Sequence, residues 1–344
     1  MKPLRSFVPN RRSEVVVVTG ASAGVGRATV RAFARRGAHV GLIARNREAL
    51  EAARREVEAS GGKALVCVAD VADAQAVDAA ADAIESELGP IDVWVNNAMV
   101  TVMSPIHALA PDEIKRVTEV TYLGTVYGTL SALKHMRKRN RGVIVQVGSA
   151  LAYRAIPLQA PYCGAKFAIR GFTDSLRSEL AHEKSKVHVT MVQMPALNTP
   201  QFDWCRTHLA HEPQPVPPIF APEVAARAIV WAAHHRRREL YVGWPSLRAI
   251  WAQKLIPGVL DRYLAATGYE SQQTDRPVDP NRVDNLWHTV PGDHGATGRF
   301  SACTRDGSRE LWLSTHRAGL SSIAIATLML AAAVWLSSNR RRPA

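Results

Sequence analysis

From residue 14 to residue 243, short apolar runs alternate with longer segments in which apolar residues recur every three or four positions. The short runs, at 15–19, 40–43, 64–68, 93–96, 143–147, 187–193 and 240–242, are rich in Val and Ile and read as buried strands. Between them, segments such as 47–60, 73–88 and 161–182 carry helical spacing. Strands alternating with helices predict right-handed βαβ units and a parallel sheet covered on both faces. About seven strands in this rhythm make one doubly wound α/β domain over residues 14–243.

The rhythm stops after Gly243. Leu247, Ile250, Trp251 and Leu255 share a helical face, Pro257-Gly258 interrupts, and Val259, Leu260, Tyr263 and Leu264 resume. Residues 244–268 read as an amphipathic helical extension, either interfacial at a membrane or capping the catalytic body. Residues 269–315, rich in Pro, Asp, Asn, Arg and Gly, read as a polar linker. Residues 319–338 carry no charge and precede three arginines at 340–342. About 20 such residues can cross a hydrocarbon core of roughly 30 Å, so a transmembrane helix is expected there, against the duller reading of a buried terminal helix.

Composition bounds the function. In 344 residues, 47% are hydrophobic, enough for a sizeable core. The net charge of +13 points first to nucleic acid or an anionic membrane. Its arginines, however, sit in short scattered runs without aromatic interleaving, which argues against nucleic acid. The four cysteines are far apart, with no CxxC pair, and residues 1–14 are basic without an apolar core. These features predict no signal peptide and a catalytic domain facing a reducing cytosol.

After the first strand comes Thr19-Gly20-Ala21-Ser22-Ala23-Gly24-Val25-Gly26, which opens the first helix. Glycines there let the backbone turn sharply against a pyrophosphate, and helix N-terminal amides favour its negative charge. Further on, Tyr162 and Lys166 form YxxxK, one helical turn apart on one face, and Ser149 precedes Tyr162 by thirteen residues. A tyrosine beside a lysine ammonium can pass a proton to an alkoxide, because the cation stabilises the phenolate.

The TGxxxGxG turn, the Asn96-Asn97-Ala98 run and the Ser149, Tyr162, Lys166 set together resemble the short-chain dehydrogenase/reductase superfamily, over about residues 14–243. The resemblance implies a single Rossmann domain. It implies that Gly20, Ser22, Gly24, Val25 and Gly26 cradle the dinucleotide, that Asp70 and Val71 contact adenine, and that Asn97 and Ala98 line the cleft. Met99 stands where the family usually has Gly. Tyr162 is implied as general acid/base, Lys166 as the residue that lowers its pKa and binds the nicotinamide ribose, and Ser149 as the group that polarises the substrate oxygen. Pro195 and Leu197 are implied to flank the nicotinamide, with Thr199 on its carboxamide and Ala196 in place of a usual Gly. Thr121 takes the position of the family's Asn, where an amide would hold a relay water; whether a hydroxyl keeps that water is open.

At the end of the second strand, Arg45 stands where an acid would hold ribose hydroxyls; a guanidinium can pair with a 2′-phosphate, so NADP(H) is expected over NAD(H). The segment 200–222 is expected to form a substrate lid carrying Phe202, Trp204, Leu209 and Ile219. Within it Cys205, His208 and His211 recur every three residues; soft-metal ligation is the weaker reading, no fourth ligand is evident, and no metal is expected. The function expected is hydride transfer between NADP(H) and an alcohol or carbonyl, the substrate apolar. The alternatives are a membrane-tethered NADP(H) sensor or scaffold without turnover, and an enzyme of membrane-dissolved substrates. The resemblance also implies homo-oligomers paired through the two long helices beside the site.

Overall fold

The computed structural model describes residues 12–317. Along the chain come β1 (Val15–Thr19), α1 (Gly24–Ala34), β2 (His39–Ala44), α2 (Arg47–Ala59), β3 (Ala64–Val68), α3 (Ala74–Glu87) and β4 (Val93–Asn96). The short β5 (Val102–Met103) follows, then α4 (Pro111–Val117), a π-helical stretch (Thr118–Leu123) and α5 (Gly124–Arg139). Next are β6 (Val143–Ser149), α6 (Ala160–His182), β7 (His188–Met194), α7 (Gln201–Trp204), and the short β8 (Arg206–Thr207), β9 (His211–Pro213) and β10 (Ile219–Phe220). The described chain closes with α8 (Pro222–His234), β11 (Glu239–Tyr241), α9 (Trp244–Leu255), α10 (Pro257–Thr267), β12 (Gln273–Pro277), β13 (Thr304–Arg305) and α11 (Arg309–Thr315).

Seven strands form one parallel sheet in the order β3-β2-β1-β4-β6-β7-β11. The strand order reverses between β1 and β4, which opens a crevice at their carboxyl ends, where ligands of such sheets bind. Alternate side chains of β1 feed two cores. Val16 and Val18 pack with Val30 and Phe33 of α1 and Ile229 of α8, while Val15 and Val17 pack with Val77 and Ile84 of α3 and Met136 of α5. The seven predicted strands all appear, with ends shifted by one or two residues.

Between the cores lies a buried polar network. Trp94 Nε1 donates to Asn96 Oδ1 (2.8 Å), and the Asn96 amide donates to Thr129 Oγ1 (3.0 Å) and Gln146 Oε1 (2.9 Å). It ties β4 and β6 to α5, and Gly128 is required there because a Cβ would stand 2.2 Å from Asn96 Oδ1.

The C-terminal third departs from the sequence reading. Residues 269–315 are not a free linker: they fold back across the carboxyl ends of the sheet. β12 pairs antiparallel with β9, and β13 pairs in parallel with β10. Sparse apolar content hid this, because the segment is held mainly by polar and main-chain bonds, with Leu286 as its fully buried apolar anchor.

The extension at 244–268 is two helices, α9 and α10. Arg154 holds both to the catalytic body, donating to Gln253 Oε1 (2.7 Å) and Asp261 Oδ1 (2.6 Å). Its outer face leaves Trp244, Trp251, Leu255, Val259 and Tyr263 exposed. The apolar run 319–338 lies outside the described residues, and among those residues no helix is long and apolar enough to cross a membrane.

Candidate active site

The glycine turn takes its shape from close backbone approach. Gly20 adopts φ +66°, and a Cβ there would lie 2.9 Å from Ala98 Cα. Gly26 has no room for one either: it would meet the Gly20 carbonyl oxygen at 2.0 Å. Asn97 braces the turn from the next strand, its amide donating to the Thr19 carbonyl (3.0 Å), and Thr19 Oγ1 in return accepts from the Asn97 and Ala98 amides (2.9 and 3.1 Å). Asn97 and Gly26 therefore shape the turn from behind through backbone packing.

A cleft opens over this turn. Its walls include the predicted Gly20, Ser22, Gly24 and Val25, then Arg45, Asp70 and Val71, then Asn97, Ala98 and Thr199. Gly26, Tyr162, Lys166, Pro195 and Leu197, also expected at the cofactor, are not among its lining residues. Leu197 is buried and bridges to Phe220. Met99 and Trp204, both singled out in the sequence, line the cleft, as do Val100, Val120 and Gln201 and the C-terminal residues Asn285, Thr289, Val290 and His294, which sequence reasoning missed. Only the lid aromatics carried any signal of this, Trp204 meeting His294 edge to face at 4.6 Å between centroids.

Charges concentrate at the far end. Arg116 pairs with Asp70 and donates to the Leu286 carbonyl (3.0 Å), and Arg45 stands 4.0 Å from Asp70. Burial alone would raise the Asp70 carboxyl, but the Ala72 amide and Arg116 outweigh it and hold it below the usual carboxylate range. Arg45 was expected to be free for a 2′-phosphate. Instead its guanidinium donates to the carbonyls of Asn285 (2.5 Å), Leu286 (3.3 Å) and Trp287 (3.0 Å), and burial lowers its pKa.

Ser149, Tyr162 and Lys166 lie outside the residues that line this cleft. Ser149 ends β6 and accepts from the Leu151 amide (3.1 Å). Burial pushes the Tyr162 phenol well above its usual value, and the neighbouring Ser149 side chain works against the rise. Lys166, one turn along α6, is buried, and its Nζ donates to the Val147 carbonyl (2.7 Å) and lies 5.5 Å from the Tyr162 ring centroid. Desolvation lowers the lysine to about 8.

Thr121 lies within the π-helical stretch, fully buried. Its hydroxyl donates to the Val100 carbonyl (2.9 Å) and accepts from the Val100 amide (3.1 Å), while its own carbonyl accepts from Thr125 Oγ1 (2.9 Å). Its hydroxyl is used up by Val100, so the side chain holds the loop after β4 and leaves no donor for a relay water. π-helical turns inside α-helices recur at functional sites, and this one brings Val120 to the cleft wall.

In the lid, Cys205 is buried beside Arg282, and His208 Nε2 contacts Glu113 Oε1 at 2.9 Å. Among the described residues no group of three His, Cys, Asp or Glu side chains is placed to hold a metal.

The model of the family described as short chain dehydrogenase matches residues 14–208, more than half of the chain. The protein is a short-chain dehydrogenase/reductase. The chain is 34% identical over 285 residues to the uncharacterized oxidoreductase YxnA of Bacillus subtilis (strain 168), covering 82% of this chain and 80% of that one. It is 30% identical over 285 residues to dehydrogenase/reductase SDR family member 7B of Bos taurus, covering 79% and 85%. It is 29% identical over 236 residues to a fatty acyl-CoA reductase of Acinetobacter baylyi, covering 68% and 77%. Among solved structures, an alcohol dehydrogenase from Thermococcus sibiricus complexed with 5-hydroxy-NADP superposes with TM-score 0.59 at 24% identity, covering 67% of this chain and 96% of that one, a likeness of fold. As a family member, the chain is an oxidoreductase of CH–OH and C=O groups whose Rossmann-like fold binds a nicotinamide cofactor.

Proposed function

We propose that this short-chain dehydrogenase/reductase moves a hydride between NADP(H) and an apolar alcohol or carbonyl, with Tyr162 as acid/base. The observation that carries this reading is the Ser149 side chain beside the Tyr162 phenol, with Lys166 one helical turn along and its Nζ 5.5 Å from the Tyr162 ring centroid. The residues present fit a dinucleotide: Gly20 and Gly26 permit the close backbone packing that shapes the turn, and Gly20, Gly24 and Arg45 line the cleft above it. Bound there, the nicotinamide supplies the hydride. Ser149 holds the substrate oxygen against the Tyr162 hydroxyl, and Tyr162 delivers its proton to that oxygen as negative charge develops on it. Lys166, released from Val147, stabilises the phenolate left behind and so draws the tyrosine down from its raised value.

NADP(H) is favoured because Arg45 is the cationic group at the ribose end and no carboxylate other than the Arg116-bound Asp70 lines that end of the cleft. An apolar substrate is supported by the exposed Trp and Leu face of α9 and α10 near the catalytic loop, and by the fatty acyl-CoA reductase among the relatives. The uncharged stretch 319–338 supports a tether that holds the catalytic domain at the cytosolic face of a membrane. A carbonate wash of membranes from cells expressing the full chain tests the tether; recovery of the protein in the supernatant rules it out.

Purified full-length protein assayed against a panel of long-chain aldehydes and ketones, with NADPH and NADH in parallel, tests the activity. NADPH oxidation that Arg45→Asp shifts toward NADH is expected. An unchanged preference ratio means the phosphate is held elsewhere, and no oxidation with any carbonyl leaves a binding protein without turnover.

A further inference from the structure

A dinucleotide in this cleft would need the donors that the chain's own C-terminal segment already uses. Arg45 gives its guanidinium hydrogens to the carbonyls of residues 285–287. The Gly24 amide, at the start of α1, donates to the Gly295 carbonyl (3.0 Å). That bond is in place of an ordinary cap, since Ala23 provides no side-chain cap and the first turn of α1 has no acidic residue. Between these two points, the Asn46 amide donates to the carbonyls of Val290 (2.9 Å) and Gly292 (3.0 Å). The segment therefore presents a row of main-chain acceptors to the groups that would otherwise read ribose and phosphate.

Two anchors hold the row in place. Leu286 is fully buried among Val71, Val117 and Val120, and Asp293 Oδ1 pairs with the buried Arg27 at 3.1 Å. On either side, β12 with β9 and β13 with β10 fix the ends, so the stretch between them can lift without detaching.

We propose that residues 285–295 are an internal occupant of the dinucleotide cleft, which an incoming cofactor displaces before its ribose and phosphate ends are held. The inference rests on the dinucleotide reading of the cleft. Chemistry favours the exchange: neutral carbonyls give way to phosphate oxygens, whose charge-assisted hydrogen bonds are stronger. The Asp293 carboxylate, which also accepts from the Gly295 amide at 3.2 Å, adds a like charge near the phosphate turn and has to move for the same reason. Association is thereby limited by the fraction of molecules with the segment raised.

The test uses the full chain and two readouts other than turnover. Hydrogen exchange of peptides over 285–296 is followed with and without saturating NADP+, and association of NADPH is followed by stopped-flow fluorescence in wild type, Leu286→Ala and Asp293→Ala. Faster exchange over 285–296 on NADP+ binding, and association at least tenfold faster in either variant, is the expected result. Should Leu286→Ala fail to fold, Asp293→Ala, a surface-side anchor, decides. Slower or unchanged exchange with NADP+ bound, or equal association rates, overturns the inference while leaving the cleft a dinucleotide site. Binding of NADPH and NADP+ by none of the proteins overturns the reading of the cleft, and the inference with it.

Discussion

Thr121 and Val100 are joined twice: the threonine hydroxyl donates to the Val100 carbonyl and accepts from the Val100 amide. This pair of bonds fixes the π-helical turn of residues 118–123 to the loop that leaves β4, on the wall of the cofactor cleft.

Thr121→Val keeps the shape and removes both bonds, leaving a buried N–H and C=O on Val100 without that partner. A loss of about 1–3 kcal/mol is expected. Urea denaturation of the two proteins measures it; a midpoint within error of wild type would mean the pair contributes nothing. Thr121→Asn has to fit a longer side chain into a fully buried position and is expected to lose stability as well.

Tyr162→Phe removes the transferable proton and little else. Turnover should fall on the order of 10²–10⁴-fold while cofactor dissociation constants stay within about twofold. Substantial residual kcat at unchanged binding assigns the proton to another group.

Lys166 gives a pH signature in the cofactor-free protein. Its folded value is lowered to about 8, whereas an unfolded lysine holds its proton to about 10.4. Between those values the unfolded chain binds more protons, so wild-type stability rises with pH across the window, and the cost of burying the charge is fully present below it. Lys166→Met has no such charge, so its stability relative to wild type should decline by on the order of 2–3 kcal/mol from pH 8 to about 10.4. Parallel denaturation curves at several pH values read it, and a constant difference refutes the lowered lysine.

Glu113 holds the lid. Its buried carboxylate accepts from Arg206 Nε (2.7 Å) and the Ala110 amide (3.0 Å) and contacts His208. Burial would raise its pKa, but Arg206, the Ala110 amide and His208 together lower it, so its contribution is present above the ordinary glutamate range and is lost as pH falls through the lowered value. Glu113→Ala leaves His208 without its acid and Arg206 with Asp284 alone, and is expected to cost on the order of 1–3 kcal/mol, with faster proteolysis in the segment 200–222. Cleavage kinetics equal to wild type would release Glu113 from that role.

The sheet was legible because each strand is a Val- or Ile-rich run closed by a turn, and the two cores follow from the alternation in β1. The glycine turn and Ser149, Tyr162 and Lys166 were legible for a related reason, since their chemistry rests on side-chain type at fixed spacing. The C-terminal wall of the cleft was not. It holds Arg45, Asn46 and Gly24 through carbonyls, which every residue has, so its composition still resembles a linker. Arg45 shows the same limit from the other side: its identity marks a cation at the ribose end, and nothing in the identity says which acceptors it meets. At Thr121 the pattern picked out the residue, but its bonds to Val100 depend on a π-helical turn that local residue spacing does not encode.

Two of the three small two-stranded sheets have a consequence for synthesis. β9 and β10 lie in the lid, and their partners β12 and β13 come roughly 60 and 85 residues later. On the ribosome, β1 to β4, β6 and β7 can pair in order as they emerge and β8 can meet β5, but β9 and β10 have no partner strands until nearly the whole described chain has left the exit tunnel. A nascent chain arrested after Gly243 would show Ile219 and Phe220 with a bare main-chain edge, the kind of surface that holdase chaperones bind and that joins chains edge to edge.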